Sequence, residues 1–133
     1  VINSKETVDI LRNKFDKIEI DSIQSSLMES LEDVDIVVNT TPLGMKNFDE
    51  ENSPLDDKQV ESLPNNAIIY DIVYNPLRTA LISKAIRYNK KFICGLDMLV
   101  WQACYAMNIW CGQMPDFNTL KISALEEFLL YRN

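Results

Sequence analysis

The most strand-like segment of the sequence is Ala67-Ile68-Ile69-Tyr70-Asp71-Ile72-Val73-Tyr74. Its apolar residues occupy both alternating faces over most of its length, which is typical of a strand buried in a parallel sheet. Turn residues at 64–66 (PNN) precede the segment, and Asn75-Pro76 ends it. The segment therefore predicts a central strand of an α/β domain.

Strands and helices alternate on both sides of this segment. Residues 35–39 (DIVVN) and 91–94 (KFIC) predict two further strands. Short strands that alternate with helices of about ten residues favour right-handed βαβ units, and hence a parallel sheet with flanking helices. We predict helices over residues 54–63, 79–88, 97 or 98 to 110, and 119–131, and nearer the amino terminus from Ser4 or Thr7 to residue 15 and over 22–31.

The Rossmann-like fold predicted in this way is incomplete. Val1-Ile2 reads as the end of a strand, and residues 18–20 as another short one. The three glycines, Gly44, Gly95 and Gly112, are too far apart to form a GxGxxG or P-loop phosphate cradle. We therefore expect residues 1–133 to form one domain of a longer protein, with the first strand and its glycine-rich loop absent.

Composition argues against several classes of function. The chain has 133 residues, a net charge of −7 and a pI near 4.5, so no nucleic-acid partner is expected. It has no histidine, which removes Ser-His-Asp catalysis and histidine-based zinc sites, and no metal site is expected. The longest apolar stretch, residues 100–111, is too short and too polar to span a membrane. Three cysteines without CxxC spacing predict a reducing compartment, hence the cytoplasm.

Ligands of parallel α/β sheets bind at the carboxyl ends of the strands. One such end is residues 40–44 (TTPLG), which either lie along a planar ring or a ribose or form an ordinary turn. At the next strand end, Tyr74 can present its phenol to a polar ligand. Gly95 follows the third strand, where the lack of a side chain lets a ligand approach the backbone.

Several polar positions have two interpretations. Asp71 lies inside an apolar run and needs a partner, so we favour a structural role in which it bonds backbone amides of a neighbouring loop. Gln102 lies on an otherwise apolar helix, as a core amide or as donor and acceptor for a substrate hydroxyl. Asn3, Ser4 and Lys5 either begin a solvated helix or lie beside a ribose, with Asn3 on a hydroxyl and Lys5 near a 2′-phosphate.

Four segments together resemble the shikimate dehydrogenase family. They are residues 35–45 (DIVVNTTPLGM), 70–76 (YDIVYNP) with Thr79, 95–103 (GLDMLVWQA) and 110–115 (WCGQMP). Their order and spacing are compatible with that family, and the resemblance covers essentially the whole chain. It implies the carboxyl-terminal nicotinamide-cofactor domain, entered at its second strand, without the amino-terminal substrate domain.

Members of this family reduce 3-dehydroshikimate to shikimate with NADPH, on the route to chorismate and the aromatic amino acids. The resemblance implies that Tyr74 and Gln102 contact shikimate. It assigns no catalytic residue to this chain, because the catalytic lysine and aspartate of the family lie in the amino-terminal domain. The implied cofactor contacts are Asn3, Ser4, Lys5, Thr40, Thr41, Pro42, Ile72, Gly95, Met98 and Leu99.

Cofactor and substrate choice stay open at this point. The family commonly has Asn-Arg-Thr where this chain has Asn3-Ser4-Lys5, and a lysine supplies charge without the planar fork of an arginine. NADP is expected, with NAD not excluded. The alternatives are a quinate/shikimate dehydrogenase that uses NAD and a non-catalytic Rossmann-like interaction domain, self-associating as a homodimer through a free sheet edge. We expect the isolated chain to bind NADPH weakly and to show no turnover.

Overall fold

The computed structural model describes residues 4–15, 17, 19 and 30–130. Three parallel strands form one sheet in the order β1 (Ile36–Asn39), β2 (Ile68–Asp71) and β3 (Lys91–Cys94). The helices are α1 (Ser4–Lys14), α2 (Asp57–Ser62), α3 (Ala80–Arg87), α4 (Gly95–Cys111) and α5 (Phe117–Leu130). The predicted α/β architecture is confirmed. The strand predicted at Val1-Ile2, and most of the elements predicted at 18–20 and 22–31, lie outside the described residues.

The central strand of the described sheet is β2, which pairs with β1 on one edge and with β3 on the other. Ile69 is fully buried in the middle of β2 and stands in register with Val37 and Phe92. This face of the sheet packs against α2 and α3. The buried apolar residues of this core are Leu31, Leu55, Val60, Leu63, Ala67, Ile69, Leu81 and Ala85.

A second core joins α4 to α5. Leu96, Val100 and Cys104 are buried on one side of α4 at intervals of four, which is the spacing of a helical face. Phe117 and Phe128 are among the α5 residues that pack against them. The carboxyl end of β3 runs directly into α4, so this second core lies beside the strand ends.

Hydrogen bonds to three aspartate side chains explain three differences between the predicted and the observed ends of helices and strands. The α2 helix begins at Asp57 rather than at residue 54, because Asp56 and Gln59 form a capping box at this position. Likewise α5 begins at Phe117 rather than Thr119, because Asp116 accepts a hydrogen bond from the Thr119 amide. The β2 strand ends at Asp71 rather than Tyr74, where the Asp71 carboxylate accepts a hydrogen bond from the Val73 amide.

Two lysines tie α2 and its flanking residues to the end of α3. Lys90 is buried, and its ammonium group donates hydrogen bonds to the carbonyl oxygens of Glu61, at 3.1 Å, and Leu63. Lys84 donates to the carbonyl oxygen of Leu55 at 2.6 Å. Cations near the carboxyl end of a helix satisfy carbonyl groups that have no partner within the helix. The Lys90 contacts lie near the amino ends of β2 and β3.

Candidate functional site

The carboxyl ends of β1 and β2 are joined by a buried pair of side chains. Asn39 and Asp71 are the last residues of the two strands and stand opposite each other in register. Their exposed fractions are 3% and 0%, and Asn39 Nδ2 donates to Asp71 Oδ1 at 2.9 Å. The segments that follow the two strands therefore leave the sheet from a common polar anchor.

The turn after β1 folds around the Asn39 side chain. Asn39 Oδ1 accepts hydrogen bonds from the Thr41 amide at 3.0 Å and from the Thr41 hydroxyl at 2.7 Å. Asn39 Nδ2 also donates to the Leu43 carbonyl oxygen at 3.3 Å. These bonds leave Thr40, Thr41 and Pro42 exposed at the edge of the sheet. The three positions predicted to lie along a cofactor are thus accessible and held in a defined turn.

Gly44 allows this turn to pack against the start of α3. Its φ is +89°, a conformation that favours glycine, and a β-carbon here would lie 3.1 Å from the β-carbon of Thr79. The Thr79 hydroxyl accepts from the Ile82 amide and so caps α3, and it donates to Asp71 Oδ2 at 2.6 Å. The turn after β1 and the beginning of α3 therefore share the Asp71 anchor.

Gly95 brings α4 into contact with the segment after β2. A β-carbon on Gly95 would lie 2.1 Å from the Ile72 carbonyl oxygen, so no other residue fits without movement of the backbone. The helix begins at Gly95 itself, not at residue 97 or 98 as the sequence predicts. Ile72 and Gly95, both predicted cofactor contacts, are brought together. Met98 and Leu99 follow on the first turns of α4 and are half-buried.

Both residues predicted to contact substrate have exposed side chains. Tyr74 is 42% exposed, and its ring makes an edge contact with Phe128 of α5 at a centroid distance of 6.1 Å. Gln102 is exposed on α4. The alternative interpretation of Gln102 as a core amide is therefore wrong. The phenol and the amide are each available to a ligand.

A cleft of about 430 Å³ lies between the loop after β1, the segment after β2 and the end of α5, and Asn75, which follows Tyr74 in the chain, lines it. The backbone amide of Lys46 donates to the Asn75 carbonyl oxygen at 2.8 Å, which joins the two loops at this point. The cleft is lined by Lys46, Glu50, Asn75, Pro76, Leu77, Arg78, Glu127, Phe128 and Leu129. It provides space for a small polar molecule at the same end of the sheet.

Side-chain contacts between α4 and α5 fix the first turns of α4. Lys121 Nζ lies 2.6 Å from Asp97 Oδ1, which forms an ion pair between the two helices. One turn further along, the rings of Trp101 and Phe117 stack at a centroid distance of 4.6 Å. These contacts hold α4 against α5. The same helix carries Gly95, Met98, Leu99 and Gln102.

Three of the predicted positions lie at or beyond the limit of the described side chains. Asn3 lies outside the described residues, and Ser4 and Lys5 are the first two residues of α1, of which only the backbone is described. Their proposed contact with a ribose and a 2′-phosphate stays a prediction. The sequence analysis did not single out Asn39. Like Asp71, Asn39 is a polar residue in an apolar strand, and this signal could have identified it.

Two kinds of feature are absent from the described part of the chain. No cluster of three or more histidine, cysteine, aspartate or glutamate side chains in it could hold a metal ion. None of its helices has the length and apolar character needed to cross a membrane.

Comparison with known proteins points to one family. Residues 95–121 match the family model described as Shikimate 5'-dehydrogenase C-terminal domain. A relative from Crocosphaera subtropica, named Shikimate dehydrogenase (NADP(+)), is 45% identical over 94 residues, which are 71% of this chain and 32% of the relative. The chain spans 30–42% of the length of the curated relatives it matches.

Solved structures give the same result. A shikimate 5-dehydrogenase from Thermus thermophilus, in complex with NADP(H) and shikimate, superposes with a TM-score of 0.60 at 33% identity, over 69% of this chain and 33% of that one. A quinate dehydrogenase from Corynebacterium glutamicum in complex with NAD, at 24% identity, shares the fold with a TM-score of 0.75 over 92% of this chain and 42% of that one. The predicted fold class and the resemblance are both confirmed: the chain is a relative of the shikimate dehydrogenases.

Proposed function

We propose that this chain is the NADP-binding part of a shikimate dehydrogenase, an oxidoreductase that reduces 3-dehydroshikimate to shikimate in aromatic amino-acid biosynthesis. The observation that carries the proposal is the convergence of three strand ends. Asn39 and Asp71 join the ends of β1 and β2, and the contact of Gly95 with Ile72 adds the end of β3. Such edges are where α/β sheets bind nucleotides.

The residues present suit a nicotinamide dinucleotide. Thr40, Thr41 and Pro42 offer hydroxyls and a firm turn on which a ribose or a ring can lie. The absence of a side chain at Gly95 lets the start of α4 pack directly on the Ile72 carbonyl group, where the nicotinamide end would lie. Met98 and Leu99 supply apolar surface beside it. When bound, the dinucleotide supplies the hydride, and the protein supplies orientation.

The substrate would bind beside the dinucleotide at the same carboxyl end of the sheet. Tyr74 can donate its phenolic hydrogen to a hydroxyl or carboxylate oxygen, and Gln102 can both donate and accept. Two such contacts fix the orientation of a small hydroxylated acid. The proton of the reaction is assigned to no residue of this chain, in keeping with the family's use of groups from its amino-terminal domain.

Residues 1–133 would then act as one nicotinamide-cofactor domain that works with a substrate domain. Exposed apolar side chains on α4 support this division of labour, because large exposed apolar patches mark contact surfaces. Ile109 and Trp110 are each 79% exposed. We assign shikimate rather than quinate as the substrate, because curated shikimate dehydrogenases are 33–45% identical to the chain.

The proposal is tested by titrating the chain with NADP+ and NAD+ and following heat of binding and tryptophan fluorescence. We expect weak, saturable binding that is tighter for NADP+. Replacement of Lys5 by glutamate should lower the preference for NADP+, whereas Lys14→Glu, which changes the same charge at the other end of α1, should leave it unchanged. Failure of the chain to bind either dinucleotide would refute the proposal.

Turnover is tested separately, with shikimate and quinate as alternative substrates and NADP+ and NAD+ as alternative oxidants. The isolated chain is expected to show none. In a protein that carries both domains, oxidation of shikimate with NADP+ should be the fastest of the four combinations. Faster oxidation of quinate with NAD+ would favour the alternative substrate and cofactor.

Association, location and partner class complete the proposal. Within the described residues β1 pairs only with β2, and Ile36 and Val38 are 58% and 49% exposed, which supports a homodimer through this edge. Light scattering over a range of concentrations tests this, and a monomer at all of them would refute it.

Cys94, Cys104 and Cys111 are unpaired, which supports the cytoplasm. The net charge of −7 supports a small-molecule partner rather than nucleic acid.

A further inference from the structure

The carboxylate of Asp71 is completely buried and accepts three hydrogen bonds from three different segments. Its Oδ1 accepts from Asn39 Nδ2 at 2.9 Å and from the Val73 amide at 3.1 Å. Its Oδ2 accepts from the Thr79 hydroxyl at 2.6 Å. A buried carboxylate needs such donors, because an unpaired charge in the interior is costly.

Each donor controls a different part of the candidate site. Asn39 holds the turn of residues 40–44 through both its amide nitrogen and its oxygen. Val73 immediately precedes Tyr74 in the chain. Thr79 caps α3 and lies against Gly44, the last residue of the turn. One carboxylate thus connects the turn assigned to the dinucleotide with the segment assigned to the substrate.

We propose that Asp71 is a positioning residue that couples these two segments, so that order in one stabilises the productive arrangement of the other. This inference rests on the proposed function of the two segments. The hydrogen bonds of Asp71 run to the end of β1, to the segment directly after β2 and to the start of α3. Replacement of Asp71 should therefore perturb the carboxyl ends of the strands before the rest of the sheet.

The register of the strands does not depend on this carboxylate. Backbone pairs connect β1 to β2 along their length, and the Ile72 amide donates to the Asn39 carbonyl oxygen at 3.1 Å. An isosteric change at residue 71 leaves these bonds in place. The coupling and the stability of the sheet can thus be separated experimentally.

The test replaces Asp71 by asparagine in the full chain and measures amide hydrogen exchange and dinucleotide affinity. The amide nitrogen that replaces one carboxylate oxygen is a donor, so it cannot accept the hydrogen of its former partner. We expect exchange to rise about tenfold in both segments, residues 40–44 and 72–75, and NADP+ affinity to fall by a similar factor. Amides in the middle of β2 should keep their protection.

Two further variants keep the test decisive. Asp56→Ala removes the cap of α2, whose hydrogen bonds run to Gln59 and involve no member of the Asp71 network, so it should leave both segments and the affinity for NADP+ unchanged. Thr79→Val removes one donor to Asp71 together with the cap of α3 and should speed exchange in both segments, while Thr79→Ser, which keeps the hydroxyl, should keep exchange slow. If Asp71→Asn does not fold, the comparison of valine with serine at residue 79 decides the question.

Three outcomes would overturn the inference. Exchange could rise in only one segment, it could remain unchanged in both, or Asp56→Ala could lower the affinity as much as Asp71→Asn does. Failure of the proposed function is distinguishable from these, because it shows as no binding of NADP+ by the unmodified chain. Hydrogen exchange would still report whether Asp71 couples the two segments.

Discussion

The two sides of the candidate site are built by different physical means. On the β1–β2 side, a buried polar network centred on Asp71 holds the turn of residues 40–44 and the start of α3. On the α4 side, Gly95 holds the helix against Ile72 by contact of backbone with backbone. The first side depends on the direction of hydrogen bonds and the second on volume, so they should respond to different substitutions.

This difference has a functional meaning. Hydrogen bonds to Asn39 fix the position of the turn, while Thr40, Thr41 and Pro42 on it stay exposed to a ligand. A close contact without a side chain fixes a surface and leaves no room for adjustment. The packed side is thus suited to set the position of a planar ring, and the hydrogen-bonded side to grip the rest of a ligand.

The largest effect is expected at Gly95. Gly95→Ala should cost about 3 kcal/mol of unfolding free energy, because the new methyl group collides with the Ile72 carbonyl group. Gly112→Ala is a matched control at the other end of α4, since Gly112 has a φ of +69° but no neighbour within 4 Å of an added β-carbon. It should cost only about 1 kcal/mol. Urea unfolding measures both, and equal losses would contradict the packing account.

The next-largest loss of stability is expected at Lys90, which lies near the amino ends of the strands. Lys90→Met should lower the unfolding free energy by about 2 kcal/mol, because the carbonyl oxygens of Glu61 and Leu63 lose a charged donor. The affinity for NADP+ should not change, since these contacts lie away from the carboxyl ends of the strands. Lys91→Met, at the exposed neighbouring position, should stay within about 0.5 kcal/mol of the unmodified chain. A loss of affinity in Lys90→Met would show that the two regions are not separate.

A smaller effect is expected from the ion pair on the packed side. Lys121→Met removes the partner of Asp97 and should cost about 0.5 kcal/mol, because both side chains are about one-third exposed. Lys58→Met, at an exposed position on α2, is the control. Thermal unfolding compares the two variants. A loss as large as that of Gly95→Ala would mean that polar contacts, rather than volume, hold α4 in place.

The smallest effect is a pH dependence at the start of α5. The amide and then the hydroxyl of Thr119 hydrogen-bond to Asp116, and they lower the pKa of this carboxyl below its ordinary value of 3.8. A lowered pKa in the folded state means that the contribution is present above the unfolded value and is lost as the pH falls through the folded one. Stability should therefore decline below about pH 4.

The control for this pH dependence is Asp116→Asn. Asparagine also caps helices and does not titrate, so the variant should lose less stability than the unmodified chain as the pH falls. Unfolding followed by circular dichroism across the acidic range compares the two proteins. Identical acid profiles would show that Asp116 does not contribute.

The sequence predicted those parts of the molecule that depend on local pattern. The apolar run around Ile69, the β-branched run of β1 and the amphipathic α3 each carry their own periodicity, and the structure confirms them. The caps were harder to predict. We predicted that these helices begin at residues 54 and 119, whereas Asp56 and Asp116 cap them, because several residues near each start are acceptable caps and only tertiary packing decides between them.

The positions of the candidate site could be proposed from the sequence, but the contacts that support them could not. Strand ends and the family resemblance located Tyr74, Gly95 and Gln102, since these lie in recognisable segments. The partnership of Asn39 with Asp71 joins residues 32 positions apart, and no local pattern reveals it. The contact of Gly95 with Ile72 is likewise set by the packing of α4 on the sheet. Long-range contacts of this kind require the structure.

The most direct test of the account is to record amide chemical shifts of the labelled chain during titration with NADP+. The account predicts shifts concentrated in three segments that are distant in sequence, residues 40–44, 72–75 and 95–99, which follow β1, β2 and β3. Residues of α2 and the outer surface of α5 should remain unaffected. Shifts confined to those helices, or no saturable shifts at the three strand ends, would contradict it.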